Sequence, residues 1–96
     1  MSSRGPRCHG WCFTSFDVSH EPVYDPVVYK YLVFGRETCP DTGREHLEGF
    51  AWFVQRKRFT EVKKIWNNSH IEALKGTPEQ ASKYFQKDDD YQEYGG

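Results

Sequence analysis

Two apolar runs joined by one short turn-forming segment constrain this chain more than any other feature. The first run begins at Tyr29 and ends at Glu37, and the second opens at His46-Leu47-Glu48 and continues through Gly49-Phe50-Ala51-Trp52-Phe53-Val54. Between them, Thr38-Cys39-Pro40-Asp41-Thr42-Gly43-Arg44-Glu45 carries the Pro, Asp and Gly of a hairpin connection. Apolar runs of this length, rich in aromatics and bounded by turn residues, read as strands. We therefore expect strands over residues 27–37 and 45–55, paired as a hairpin. Side chains alternate faces along a strand, so His46 and Glu48 share one face while Leu47 takes the other. Closing the hairpin returns Glu37 to the side of His46. Two carboxylates and an imidazole on one sheet face make a divalent-metal site with positions left for a substrate.

A second group of residues belongs on a helix. Thr77-Pro78-Glu79-Gln80 has a Thr N-cap, Pro at the first helical position and Gln placed to close a capping box. From there Gln80, Tyr84 and Lys87 fall on one face, because residues three and four apart are neighbours. A phenol one turn from an ammonium, near a metal that grips a phosphate, suggests nucleophilic attack on a phosphodiester.

The rest of the chain reads as one domain over residues 1–96, without repeats or linkers. Residues 1–8 are a polar tail, 11–17 a first strand and 18–26 an irregular connection. Residues 59–66 place Phe59, Val62, Ile65 and Trp66 at helical spacing, and Asn67-Asn68-Ser69 ends that helix. Residues 70–75 alternate as a fourth strand, Asp88-Asp89-Asp90 terminates the Tyr84 helix, and residues 91–96 form a short last strand or a frayed end. The fold class is α+β: a central antiparallel sheet with helices packed on one of its faces.

Composition narrows the partners. The 96 residues carry a formal net charge of −1, so any nucleic-acid contact comes from local patches such as Arg56-Lys57-Arg58, Lys63, Lys64, Lys75 and Lys83. Three Trp, six Tyr and seven Phe exceed what base stacking alone needs, and most are expected in the core. Cys8, Cys12 and Cys39 have no zinc-type spacing and read as free thiols of a reducing compartment. No stretch is apolar enough to cross a membrane, and the polar N-terminus is no signal peptide.

Taken in order, three of these motifs resemble those of the HUH-type endonuclease domain of replication initiator (Rep) proteins from circular single-stranded DNA viruses, the circovirus-like group. Trp11-Cys12-Phe13-Thr14-Ser15-Phe16-Asp17 is similar to the first motif, His46-Leu47-Glu48-Gly49-Phe50 to the metal-binding second, and Tyr84-Phe85-Gln86-Lys87 to the Tyr-x-x-Lys third. Glu37 stands where that family places an additional acidic ligand. The resemblance covers residues 11–87. It implies a ferredoxin- or RRM-like sheet with the metal on it and the tyrosine helix above. It also implies a metal-dependent nickase and strand-transferase, with Tyr84 and Lys87 catalytic and Glu37, His46 and Glu48 holding the metal. The expected product is a 5′-phosphotyrosine link and a free 3′-hydroxyl, formed on the origin hairpin loop to start and end rolling-circle replication in the host nucleus. Phe13, Thr14, Arg56, Lys57, Arg58, Gln80 and Lys83 are the candidate DNA contacts. A helicase domain normally follows in the family and is absent from this chain, so the isolated domain is expected to be monomeric. The chain departs from the family at Glu48, where relatives have His or Gln. A second carboxylate there favours the hard cations Mg²⁺ or Mn²⁺.

Plainer readings stand beside each of these. Tyr84 alone reads as a packed residue, His46 as a surface histidine beside a turn, Gln80 as a capping partner and Arg56-Lys57-Arg58 as a solvated helix start. His9, His20 and His70 read as structural or exposed. The alternative function is an RNA-recognition-like binding module without catalysis, using Phe50, Trp52 and Phe53 with Cys12-Phe13-Thr14 as base platforms. A purely structural domain is the third reading.

Overall fold

The computed structural model describes residues 7–74, 77–85 and 91–95. Its elements are β1 (Cys8–Ser15), β2 (Tyr29–Thr38), β3 (Glu45–Lys57), α1 (Phe59–Ile65), β4 (Ser69–Ala73), α2 (Pro78–Phe85) and β5 (Tyr91–Gly95). They form one antiparallel sheet in the order β4-β1-β3-β2-β5. The hairpin expected from the sequence lies at its centre, with Glu37 opposite His46 and Thr38 opposite Glu45. Two backbone bonds of 2.8 Å close its loop, from the Cys39 N–H to the Arg44 carbonyl and from the Gly43 N–H to the Cys39 carbonyl. Gly43 takes φ 73°, a left-handed conformation that costs glycine little.

β3 pairs on both sides, so its alternation sets the two faces of the molecule. Leu47, Ala51 and Phe53 point to the main core with Trp11, Phe13, Leu32, Phe34 and Ile71, closed by Val62 and Trp66 at the end of α1. Phe50 points the other way and packs with Val33 beneath Ala81 of α2, with Cys12, Tyr31, Trp52 and Leu74 around them. The two helices therefore cover opposite faces, which corrects the expectation that both pack on one. The reason lies in the run from Gly49 to Val54. It is apolar on both sides instead of alternating with polar residues, and such a strand needs cover on each face.

Other boundaries shift modestly. β1 starts at Cys8, a residue expected in the tail, and β3 runs on to Lys57. β5 forms as a strand paired to β2, with Leu32 opposite Tyr94. Of the four apolar residues expected to bury α1, Val62 and Trp66 do; Phe59 and Ile65 stay 48% and 41% exposed. The seven-residue helix buries Val62, Trp66 follows as its C-cap one turn on, and Phe59 is left with an edge contact to Trp11 at 6.4 Å. The expected helix stop at Asp88-Asp89-Asp90 and the cation Lys75 lie outside the described residues.

Gly49 marks a tight crossing within the sheet. It stands opposite Phe13 on one side and Phe34 on the other, and those rings approach to 6.5 Å across it. A Cβ at Gly49 would meet the Val33 carbonyl oxygen at 2.2 Å. The strand carries glycine there because its neighbours leave no room for a side chain.

Candidate metal and DNA site

The hairpin register delivers the acid–imidazole–acid set. Glu37 and His46 are direct partners, and Glu48 is two residues along β3 on the same face. Donor atoms of Glu37, His46 and Glu48 lie within 4.8 Å of one another, and all three side chains are partly buried. His46 Nε2 is 3.3 Å from a Glu48 carboxylate oxygen. That separation is close to the roughly 3 Å edge between adjacent ligands of an octahedral cation with bonds of about 2.1 Å. Among the described residues His46 Nδ1 is buried without a hydrogen-bond partner. Such an atom is costly to leave unmatched. A hard divalent cation fits this donor set.

α2 sits on the same face. The capping box forms as expected: Gln80 N–H donates to Thr77 Oγ1 at 3.2 Å, and Thr77 N–H donates to Gln80 Oε1 at 3.3 Å. The Gln80 amide is thereby held at the helix start and serves as a cap. Ala81 docks the helix on Val33 and Phe50, and Phe50 is two residues from Glu48 along β3. Tyr84 is carried by this helix, Lys83 is exposed on it, and Lys87 lies outside the described residues.

The other DNA candidates divide. Thr14 stands between Glu48 and His70 in adjacent strands, so it borders the cluster. Phe13 does not: it is buried on the core side, its ring 4.5 Å from that of Trp66. It presents no stacking face, because alternation sends it away from Thr14. Arg56, Lys57 and Arg58 lie at the far end of β3, roughly 26 Å along the strand from Glu48. Arg58 caps α1, its N–H donating to Glu61 at 2.8 Å. The basic run does not adjoin the metal cluster.

The remaining histidines are structural or exposed, as expected. His9 stacks on Trp52 at 5.4 Å and bonds the Phe53 carbonyl, while His20 and His70 pair with Asp17 and Glu72 at the surface. The sequence reading missed Phe16 as a neighbour of the cluster. Its ring centroid is 5.5 Å from that of His46, and the Arg44 guanidinium carbon lies 4.5 Å from its centre. The signal was present in the parity of β1, which puts residues 14 and 16 on one face.

The thiols differ. Burial pushes the Cys12 thiol up to about 11, helped by the negative charges of Glu72 and Glu48. Hydrogen bonding, first from the Thr42 hydroxyl and then from the loop amides of Asp41 and Thr42, lowers that of Cys39. A cleft of about 470 Å³, lined by Ser15, His20, Tyr29, Trp66 and Ser69 among others, includes none of the three candidate ligands. No helix among the described residues is long and apolar enough to cross a membrane.

An antiparallel sheet with a carboxylate–imidazole–carboxylate set on one face, and a tyrosine-bearing helix docked over that face, defines a class of α+β domain with a candidate cation site on its sheet. The family described as "Putative viral replication protein" matches residues 8–88, and the chain belongs to that family. It is 31% identical over 94 residues to a replication-associated protein of Beak and feather disease virus, covering 93% of this chain and 32% of that protein. It is 33% identical over 91 residues to a replication-associated protein of Porcine circovirus 2, covering 88% of this chain and 29% of the relative. A master replication protein of Milk vetch dwarf virus is 32% identical over 79 residues, covering 82% of this chain and 27% of that protein. The chain thus spans less than a third of the length of each of these relatives.

Proposed function

We propose that this domain nicks and rejoins single-stranded DNA at a viral origin, through a covalent tyrosine intermediate and with a divalent cation. The observation that carries this reading is the docking of α2, through Ala81 on Val33 and Phe50, over the face that holds Glu37, His46 and Glu48. Glu37, His46 and Glu48 would hold Mg²⁺ or Mn²⁺. When bound, the cation would supply charge that polarises a phosphate oxygen.

Tyr84 is the nucleophile. Its Oη forms a bond to phosphorus, the bond from phosphorus to the 3′-oxygen breaks, and the phenol gives up its proton as the 3′-oxygen gains one. The product is a 5′-phosphotyrosine with a free 3′-hydroxyl. Phosphoester replaces phosphoester, so the reverse step joins ends without ATP. Free tyrosine ionises near pH 10, so little phenolate exists at neutral pH. Lys87 stabilises the developing phenolate or holds the phosphate. The substrate is the loop of the origin hairpin, and the site of action is the host nucleus.

The RNA-recognition-like alternative fares worse. Such a module exposes aromatic rings on an open sheet face, whereas here Phe50 lies under α2 and Phe13 and Phe53 point into the main core. The test is incubation with single-stranded origin-loop oligonucleotides from a circovirus relative, with Mn²⁺ or with chelator. A denaturant-resistant, metal-dependent adduct mapped to Tyr84, and absent from Tyr84→Phe, supports the nickase. Full adduct yield from Tyr84→Phe removes Tyr84 from the mechanism. Binding without any adduct favours the binding module.

A further inference from the structure

Phe16 is a large apolar side chain left 49% exposed beside a metal ligand. It lies just beyond β1, and the turn that follows holds it in place. Asp17 N–H donates to Ser15 Oγ at 3.2 Å, and the Asp17 carboxylate accepts from the Ser19 N–H and hydroxyl. One side of the ring leans on His46 at 48° between planes, and the Arg44 guanidinium lies over it. The Arg44 backbone is fixed in turn, its carbonyl bonded by Cys39 N–H and its N–H by Thr42 Oγ1. Among the described residues the Arg44 side chain makes no ion pair, although the chain has 14 acidic residues to 13 basic.

A half-exposed ring, and over it a guanidinium that makes no ion pair among the described residues, have the two surfaces that a nucleotide needs. Bases stack on aromatic rings and on guanidinium planes, and the same guanidinium answers a phosphate. Arg44 thus brings a positive charge over a ring that leans on His46, which shares its cluster with two carboxylates. We propose that Phe16 and Arg44 form a nucleotide subsite next to the metal cluster. It takes the base of a nucleotide adjoining the reacting phosphate, with Arg44 contacting the backbone. The distance of 5.5 Å between the Phe16 and His46 rings fixes that adjacency. This subsite rests on the single-stranded DNA reading above and specifies where on the strand the domain holds its substrate.

The test is anisotropy with a fluorescent origin-loop oligonucleotide in chelator, scanned with a single abasic nucleotide at each position. Phe16→Leu keeps an apolar side chain of similar size and removes the flat ring, and should weaken binding roughly 5- to 150-fold, the range for losing one stacked base. Phe16→Trp should bind within about threefold of the parent, since its ring also stacks. One abasic position should weaken the parent and leave Phe16→Leu unaffected, as expected when both changes remove one contact. Arg44→Ala should flatten the dependence of log affinity on log salt by about 0.7, one phosphate on a single strand. A Mn²⁺ melting titration of Phe16→Leu that matches the parent shows that His46 is undisturbed. Should that titration shift, the abasic scan on the parent alone decides.

Parent-like affinity in Phe16→Leu, or a flat abasic scan, overturns the subsite, and an intact Tyr84 adduct would leave the nickase standing. The abasic signature without any adduct keeps the subsite and removes the nickase. No binding of single strands by the parent overturns both.

Discussion

At the scale of single residues, the cluster was legible because a hairpin is a strong geometric device. Once Pro40, Asp41 and Gly43 mark the turn, the pairing of Glu37 with His46 follows, and alternation adds Glu48. The exposure of Phe13 was not legible in that way. Its face depends on how β1 registers against β3, and that pairing joins residues about 36 positions apart, such as Phe13 and Gly49. Replacing Glu48 by Gln removes one carboxylate charge from the candidate site and keeps an oxygen, so adduct formation should persist but need about tenfold more Mn²⁺. A Mn²⁺ titration of adduct yield checks this, and an unchanged midpoint would exclude Glu48 as a ligand. Thiol chemistry offers a pH test. With its pKa near 11, Cys12 holds only about 0.1% thiolate at pH 8, whereas the lowered Cys39 ionises earlier. Iodoacetamide at pH 8 should label Cys39 first, and Cys12 should follow only as pH rises toward 11, read by peptide mass. The sign for stability is the same: protonated Cys12 suits the fold below its ordinary value, and that contribution is lost as pH climbs through the raised one.

At the scale of elements, two packing contacts decide whether the site assembles. Gly49→Ala places a methyl against the Val33 carbonyl, so β2 must move away from β3. A loss of about 1–3 kcal/mol, read from chemical denaturation, is expected for such overpacking. Ala81 is the buried seat of α2. Ala81→Arg should lift the helix and reduce adduct formation at least tenfold while leaving the Mn²⁺ melting titration intact, because the ligands stand on β2 and β3. Loss of both responses together would mean that α2 also supports the sheet. The helix was readable from its capping box, which formed as expected. The side of the sheet it covers was not, because amphipathicity identifies an inward face without saying which layer receives it.

At the scale of the whole molecule, the sheet divides two tasks between its faces. α1 closes the main core on one side, and the cluster, α2 and the Phe16–Arg44 pair occupy the other. A cation bound only by the folded chain adds stability by mass action. At one hundred times its dissociation constant this is about 2.7 kcal/mol, or roughly 10–20 °C in melting temperature for a domain of this size. Mn²⁺ should raise the melting temperature by that order, and His46→Ala should abolish the rise. No metal response in the parent would remove the cation from the reading.

The strict alternation of β3 also has an evolutionary consequence. Its even positions, His46, Glu48, Phe50 and Trp52, belong to the face of the candidate site and α2, while Leu47, Ala51 and Phe53 belong to the main core. Point substitutions at His46 and Glu48, which are only partly buried, can alter metal preference with the scaffold unchanged, whereas Phe50 is a core residue under α2. Insertions in the loop after Cys39 lengthen a tip and leave the register alone. A single-residue deletion within β3 itself would exchange every role at once, turning ligands inward and core outward. Drift in a lineage built on this strand is therefore open in residue identity at the partly exposed His46, Glu48 and Trp52, closed at Gly49 and the buried positions, and locked in length.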